Sequence, residues 1–176
     1  LGMSDGSTLI VHLRMTGKLL ILPGETERNT HTHVVMELDD GSVLHYNDPR
    51  KFGRIWLVPD RATVLAKLGP EPLDDAFDIE QFAARLRGRS APIKSLLLDQ
   101  RIVAGVGNIY ASEALFLARI RPTTPSQRIG PARAERLHSA IRSVLAQAVQ
   151  AGGSTLRNFQ AADGRSGHFQ HSAHVY

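Results

Sequence analysis

The first third of the chain alternates short apolar runs with turn chemistry. Ser7 to Leu13, Lys18 to Leu22, His33 to Leu38, Ser42 to Tyr46 and Gly53 to Val58 are rich in Val, Ile, Leu and Thr, which fit a pleated, half-buried surface. Thr16-Gly17 is placed to turn a hairpin between the first two runs, Pro23-Gly24 ends the second, and Asp39-Asp40-Gly41 joins the third to the fourth. Five strands with no helix between them predict an antiparallel sheet or part of a sandwich.

After Pro59 the apolar period lengthens to that of helices. Asp60 to Leu68 predicts a short helix stopped by Gly69-Pro70, and Glu71 to Asp75 is an acidic, proline-bearing connector. Asp78-Ile79-Glu80-Gln81 has capping-box spacing and opens a helix to about Arg87. Ser90 is placed to cap a further helix through Asp99, with Pro92 in its first turn. The next helix runs from Asn108 to about Ala118. The longest starts at Gly130-Pro131, puts Ala134, Leu137, Ile141, Val144, Leu145 and Ala148 on one stripe, and ends at Gly152-Gly153. The expected class is therefore α+β: a β-sandwich portion over 1–59, a linker region over 60–77 and a helical domain over 78–176.

Composition narrows the chemistry. The 176 residues are 42% hydrophobic and 22% charged, so a chain of this length can bury a core without staples. There is no cysteine, which excludes a disulfide framework, a thiol nucleophile and a cysteine-ligated metal within these residues. No apolar run approaches the roughly 18 residues of a membrane span, so no membrane partner is expected. The start, Leu1 to Gly6, has no basic segment and no long apolar run and reads as the interior of a longer protein. The net charge is +4, but it is unevenly spread. Arg119 to Arg157 holds seven Arg and one Glu, whereas Glu71 to Glu80 holds five acids and no base. A polyanion would be steered to the first stretch and away from the second, although a charged helix face is also what solvation alone requires.

Two groups of residues could carry function. Gly105-Val106-Gly107-Asn108 lies between two helices and opens the second. Glycines there let backbone N–H groups approach an anion, the helix N-terminus favours phosphate, and Asn108 and Lys94 could add donors. A tight helix–helix turn would use the same glycines. Met15 lies at a predicted turn, and Arg50 and Phe52 lie in Asp48-Pro49-Arg50-Lys51-Phe52-Gly53. An apolar wedge with an Arg on loops suits the opening of a base stack; a core Met and Phe beside a solvated Arg is the structural alternative. His168, His171 and His174 lack acidic or cysteine companions, so no metal site is expected.

Four runs together carry a resemblance: His12-Leu13-Arg14-Met15-Thr16-Gly17; Asp48 to Gly53; Leu68-Gly69-Pro70-Glu71-Pro72-Leu73; and Gly105-Val106-Gly107-Asn108-Ile109-Tyr110-Ala111-Ser112-Glu113. In this order they resemble the formamidopyrimidine-DNA glycosylase family over essentially the whole chain. The last resembles the second helix of that family's helix-two-turn-helix DNA-binding element. The resemblance implies a base-excision repair enzyme, glycosylase and abasic-site lyase, that flips oxidised purines such as 8-oxoguanine and formamidopyrimidines out of double-stranded DNA. It implies an N-terminal proline nucleophile with an assisting glutamate and lysine, expected upstream of Leu1, and a four-cysteine zinc finger expected after Tyr176. No catalytic residue and no cofactor are then expected within the chain, and a polypeptide of these residues alone is expected to be inactive.

By motif, Met15, Arg50 and Phe52 resemble the residues that fill the gap left by a flipped nucleotide. His31, Arg50 and Arg89 resemble DNA-backbone or gap contacts, with Arg85 and Arg87 flanking the last, and Lys94 and Asn108 resemble the phosphate clamp. Asp163 to Gln170 resembles a loop that closes over the flipped purine, with Arg165, Ser166 and Gly167 as its lesion contacts. Glu113 matches a family glutamate near the nucleophile, a possible support, though helix glutamates are usually solvated. A cytoplasmic, nucleoid-associated monomer is expected. The alternatives are a non-catalytic DNA-binding fragment, an endonuclease VIII-type glycosylase for oxidised pyrimidines, and an RNA-binding or ribosomal module; the last would not need a duplex wedge.

Overall fold

The computed structural model describes residues 1–154, 162 and 166–175. Contacts group the chain into two units, Leu1–Ala66 with Gly152–Gln170, and Lys67–Ala151 with His171–Tyr176.

In the first unit β1 (Thr8–His12) pairs antiparallel with β5 (Arg54–Val58), while β4 (Ser42–Asn47) lies between β2 (Lys18–Pro23) and β3 (Thr32–Glu37) in a second antiparallel sheet. The central strand β4 is buried from Val43 to Asn47, and the edge strands are more exposed. The Asp39-Asp40-Gly41 turn is present, with Gly41 at φ 82 and the Leu38 N–H donating to the Ser42 carbonyl at 2.9 Å. The expected hairpin at Thr16-Gly17 is not: β1 and β2 belong to different sheets. Residues 13–17 instead form a corner, closed by the Gly17 N–H on the Leu13 carbonyl at 3.0 Å. Long-range pairing of β1 with β5 overrides the short turn, because it extends over the full length of both strands.

The second unit is helical. α1 (Ala62–Leu65) precedes it; α2 (Ile79–Leu86), α3 (Ile93–Leu97), α4 (Asn108–Leu117) and α5 (Pro131–Gln150) follow. Asp78 caps α2 by accepting from the N–H groups of Glu80 and Gln81 at 2.9 and 3.2 Å, an interaction worth about 1 kcal/mol. α5 packs on α2 and α4, and α3 on α4. The expected stripe faces inward, with Leu137, Ile141 and Val144 buried against an interior that includes Phe82, Leu97 and Leu115; each such side chain contributes about 1.5–3 kcal/mol of transfer free energy. Ala111 and Ala114 on α4 are fully buried, small enough to admit a close neighbour.

Four expectations differ from the structure here. Ser90 does not cap α3; the N-cap is Pro92. A proline holds the residue before it extended, and the strand-like segment so formed pairs across: the Ser126 N–H donates to the Ala91 carbonyl at 3.0 Å and the Gln127 N–H to the Arg89 carbonyl at 2.9 Å. α1 is a single turn rather than a helix to Leu68. Residues 67–77 group with the helices, because Phe77 is buried and stacks on His138 at 4.4 Å and Arg142 donates to the carbonyls of Pro72 and Asp74 at 3.1 and 2.9 Å. Likewise 152–170 groups with the strands: the Ile21 N–H of β2 donates to the Ala162 carbonyl at 2.9 Å.

Candidate nucleic-acid interface

In the β unit, two turns far apart in sequence present their tips together. Met15 is 72% and Phe52 52% exposed. The Arg50 guanidinium bridges them, with its carbon 4.4 Å from the Phe52 ring centroid and Nη1 3.7 Å from Met15 Sδ. The shallow concavity beside them is lined by Arg14, Met15, Lys51, Phe52, Gly53 and Arg54. Two apolar tips are thus surrounded by cations, and the sequence reading missed Arg14, Lys51 and Arg54 as members of this rim. Arg14 and Lys51 both sit at φ 55, a left-handed conformation that costs a non-glycine residue about 1–2 kcal/mol.

Beneath the tips lies Asp48, fully buried. Its Oδ1 accepts from Thr16 Oγ1 at 2.5 Å and the Arg50 N–H at 3.3 Å, and its Oδ2 from the Gly53 N–H at 2.8 Å and Tyr46 Oη at 3.0 Å. Burial works against the charge, but the bonds from Thr16, Gly53, Tyr46 and Arg50 outweigh it and hold the carboxyl down to about 2. The same burial and bond push the Tyr46 phenol up to about 12. Gly53 has to be glycine: a Cβ there would collide with Tyr46 Oη and meet the His12 carbonyl at 3.0 Å. His31 is exposed, and its carbonyl accepts from the Asp48 N–H at 2.9 Å.

In the helical unit, Gly105, at φ 74, and Gly107 shape the turn into α4. Gln100, which the sequence reading did not single out, holds this turn: Oε1 accepts from the Gly105 N–H at 2.8 Å and Nε2 donates to the Val106 carbonyl at 3.0 Å. Gly107 is the N-cap, with no side-chain cap bond, and Asn108 is exposed at the first helical position. Lys94 Nζ donates to Ser112 Oγ at 2.9 Å, and Ser112 donates to the Asn108 carbonyl at 3.0 Å. An ammonium and a helix N-terminus therefore meet at one end of α4, which is favourable for an anion. Arg89 is exposed, and its carbonyl accepts from Ser126 Oγ at 2.6 Å; its neighbour Arg85 instead donates to the Arg101 carbonyl at 2.7 Å. The basic stretch is only partly open to a polyanion, since Arg142 is committed to the connector and Arg136 donates to the Ala132 carbonyl at 3.3 Å.

Glu113 is not solvated. It is buried on α4 and accepts from the N–H groups of His174 and Val175 at 2.8 and 2.7 Å, with His174 Nδ1 at 3.4 Å. It therefore anchors the segment 174–175. Ser166 is exposed and Gly167 buried, the latter packed so closely on the Gly153 carbonyl that no side chain fits. Asp163, Gly164 and Arg165 lie outside the described residues. Among the described residues no group of three or more His, Asp or Glu is arranged to hold a metal ion, and no helix is long and apolar enough to cross a membrane.

Antiparallel sheets with an apolar and cationic cluster at their turns, together with a helix-two-turn-helix unit, define a recognisable class of protein. The formamidopyrimidine-DNA glycosylase H2TH domain matches residues 68–160, and the N-terminal domain of the same enzymes matches residues 1–55. The formamidopyrimidine-DNA glycosylase of Stenotrophomonas maltophilia is 47% identical over 95% of this chain and 63% of its own, and that of Rhodospirillum rubrum 48% identical over 100% and 65%. The crystal structure of MutM (Fpg) from Thermus thermophilus superposes with a TM-score of 0.89 at 43% identity, covering 98% of this chain and 65% of that one. The Lactococcus lactis Fpg in complex with Fapy-dG-containing DNA gives 0.88 at 35% identity, covering 98% and 64%. The chain belongs to the formamidopyrimidine-DNA glycosylase family, and it spans a little under two thirds of the length of these relatives.

Proposed function

We propose that the whole protein is a base-excision repair enzyme, a DNA glycosylase and abasic-site lyase that removes oxidised purines such as 8-oxoguanine and formamidopyrimidines from double-stranded DNA. The observation that carries this reading is the joining of Met15, Arg50 and Phe52 into one exposed cluster. A nucleotide turned out of a duplex leaves a gap; apolar tips can fill it, and a guanidinium can bond the abandoned partner base. The cationic rim gives the backbone on either side a counter-charge. Duplexes of the kind bound by the Lactococcus lactis relatives, carrying Fapy-dG or an abasic site, are the proposed partners.

In the helical unit, Lys94 and the N-terminus of α4 with Asn108 are proposed to hold a backbone phosphate. Charge-assisted bonds of this kind fix register without reading sequence. His31 and Arg89 are proposed as further backbone contacts, and Arg165, Ser166 and Gly167 as lesion-loop contacts. Glu113 is proposed to support catalysis through the segment it anchors.

The reaction breaks the glycosidic bond and then the strand, and a secondary amine suits it because its adduct with the sugar carbon is an iminium, an electron sink for the elimination. The family resemblance puts that amine on a proline. Accordingly, a polypeptide of these 176 residues alone is expected to bind DNA weakly and to lack both activities. The zinc implied by the family finds no fitting donors here, for the chain has no cysteine and the described residues hold no His, Asp and Glu cluster. A cytoplasmic, nucleoid-associated monomer is part of the same proposal.

The test is excision by the full-length protein from matched duplexes carrying either 8-oxoguanine or thymine glycol. Release of 8-oxoguanine with a strand nick is expected. Release of thymine glycol alone would move the protein to the endonuclease VIII branch, and release of neither would end the enzymatic reading.

A further inference from the structure

Three segments of the β unit that carry its candidate DNA contacts converge on one residue. Met15 stands on 13–17, His31 on 29–33, and Arg50 and Phe52 on 48–53. Besides the four bonds to its carboxylate, the Asp48 N–H donates to the His31 carbonyl at 2.9 Å, and its own carbonyl accepts from the Lys51 N–H at 3.2 Å and lies 2.9 Å from His33 Nε2. Every polar atom of Asp48 is therefore spent on one of these segments or on Tyr46 of β4.

Local sequence does not hold the tips in place. Met15 and Phe52 are mostly exposed, so core packing does not fix them, and neither lies in a strand. Arg14 and Lys51, adjacent to them, occupy left-handed conformations that an isolated turn would relax. Beneath the Arg50 contacts at the tips, what ties the Met15 turn to the Phe52 loop is the path Thr16, Asp48, Gly53, whose two bonds are short, the first buried and the second half-buried. The chemistry of that path is selective. Four donors, two of them hydroxyls and two backbone N–H groups, point at one side chain, and a carboxylate is the side chain that accepts at both oxygens and donates nothing. A buried charge is costly unless its oxygens are so completely hydrogen-bonded.

We infer that Asp48 is a positioning residue: it sets the spacing of Met15, Arg50 and Phe52 so that they enter a duplex as one wedge. The inference rests on the proposed DNA-lesion reading. Its consequence is that Asp48 governs discrimination between damaged and intact DNA more than it governs affinity for DNA in general. A wedge that is pre-set does not have to be ordered on binding, and the benefit is felt only where a base has left the stack.

The experiment measures dissociation constants of the full-length protein for a duplex with an abasic-site analogue and for the matched intact duplex, alongside the melting temperature. Asp48→Asn keeps the shape but turns an amide N–H₂ toward the donors. Its affinity for the abasic-site duplex is expected to fall about tenfold more than that for intact DNA, the scale of one lost stacking contact. Thr16→Val, which removes only the link to the Met15 turn, is expected to lower the ratio less, and Thr16→Ser to restore it. In the double variant Asp48→Asn with Phe52→Ala, the ratio should be no lower than with Phe52→Ala alone, because both act on one wedge. Parallel loss on both duplexes, or an unchanged ratio, overturns the inference. Should Asp48→Asn fail to fold, Thr16→Val decides: an unchanged ratio there overturns it equally. A wild-type protein with no preference for the abasic site would sink the functional reading itself, an outcome separate from a wild-type preference that Asp48→Asn leaves intact.

Discussion

The Arg50 guanidinium carbon lies 4.4 Å from the centre of the Phe52 ring while Nη1 of the same group reaches Met15 Sδ at 3.7 Å. A cation over an aromatic face at an exposed site is worth about 0.5–1 kcal/mol, enough to bias the two side chains toward one shared orientation before any ligand arrives. Arg50→Ala and Phe52→Ala are each expected to weaken binding to abasic-site DNA by about 1–3 kcal/mol and to weaken intact-duplex binding less. Fluorescence anisotropy on the two duplexes checks this. Equal losses would make both residues backbone contacts or structural.

Lys94 should behave differently. With its ammonium 2.9 Å from Ser112 Oγ, one turn into α4, it is proposed to hold a phosphate and not to read bases. Lys94→Ala is expected to weaken damaged and intact duplexes alike and to reduce the slope of log affinity against log salt by about one. A salt titration that returns the wild-type slope would remove Lys94 from the interface.

Gly53→Ala should destabilise the β unit even though the position is a loop. The added methyl would displace Tyr46 Oη from Asp48 and press on the His12 carbonyl, an overpacking of the kind that costs about 1–3 kcal/mol. Thermal unfolding measures it; a melting temperature equal to wild type would show that the loop relaxes freely.

Acid stability follows from the same carboxylate. Asp48 titrates at about 2 in the fold against an ordinary 3.8, so it contributes stability above about pH 4 that is lost as pH falls toward 2. Unfolding midpoints measured from pH 5 to 2 should drop more steeply for wild type than for Asp48→Asn. Parallel curves would mean that the carboxylate is not so bonded.

Much of this was legible because it is local. Asp78 three residues ahead of Gln81, Gly41 after two aspartates and the apolar stripe of α5 each announce their element through nearest neighbours, and β1 to β5 lie within a residue or so of the apolar runs that predict them. Met15, Arg50 and Phe52 were legible as loop residues with the wrong chemistry for a loop. What held them together was not. The Thr16 to Asp48 bond spans 32 positions, and an aspartate before a proline looks like any turn residue. Gln100, and the anchoring role of Glu113, escaped for a similar reason, since a side chain that bonds backbone groups leaves no periodic trace. The Ser90 cap and the Thr16-Gly17 hairpin failed where tertiary pairing, with 124–127 in one case and β5 in the other, decided the local conformation.

The most direct test is borohydride trapping of the full-length protein on a duplex with a single 8-oxoguanine. A glycosylase and lyase acting through an amine passes through an imine to the sugar carbon, and reduction of that bond leaves a stable protein–DNA adduct. The account predicts such an adduct, mapped by mass spectrometry to the N-terminal amine of the protein, and none with undamaged DNA. Release of 8-oxoguanine without any adduct, or an adduct on an internal side chain such as Lys94, would contradict it.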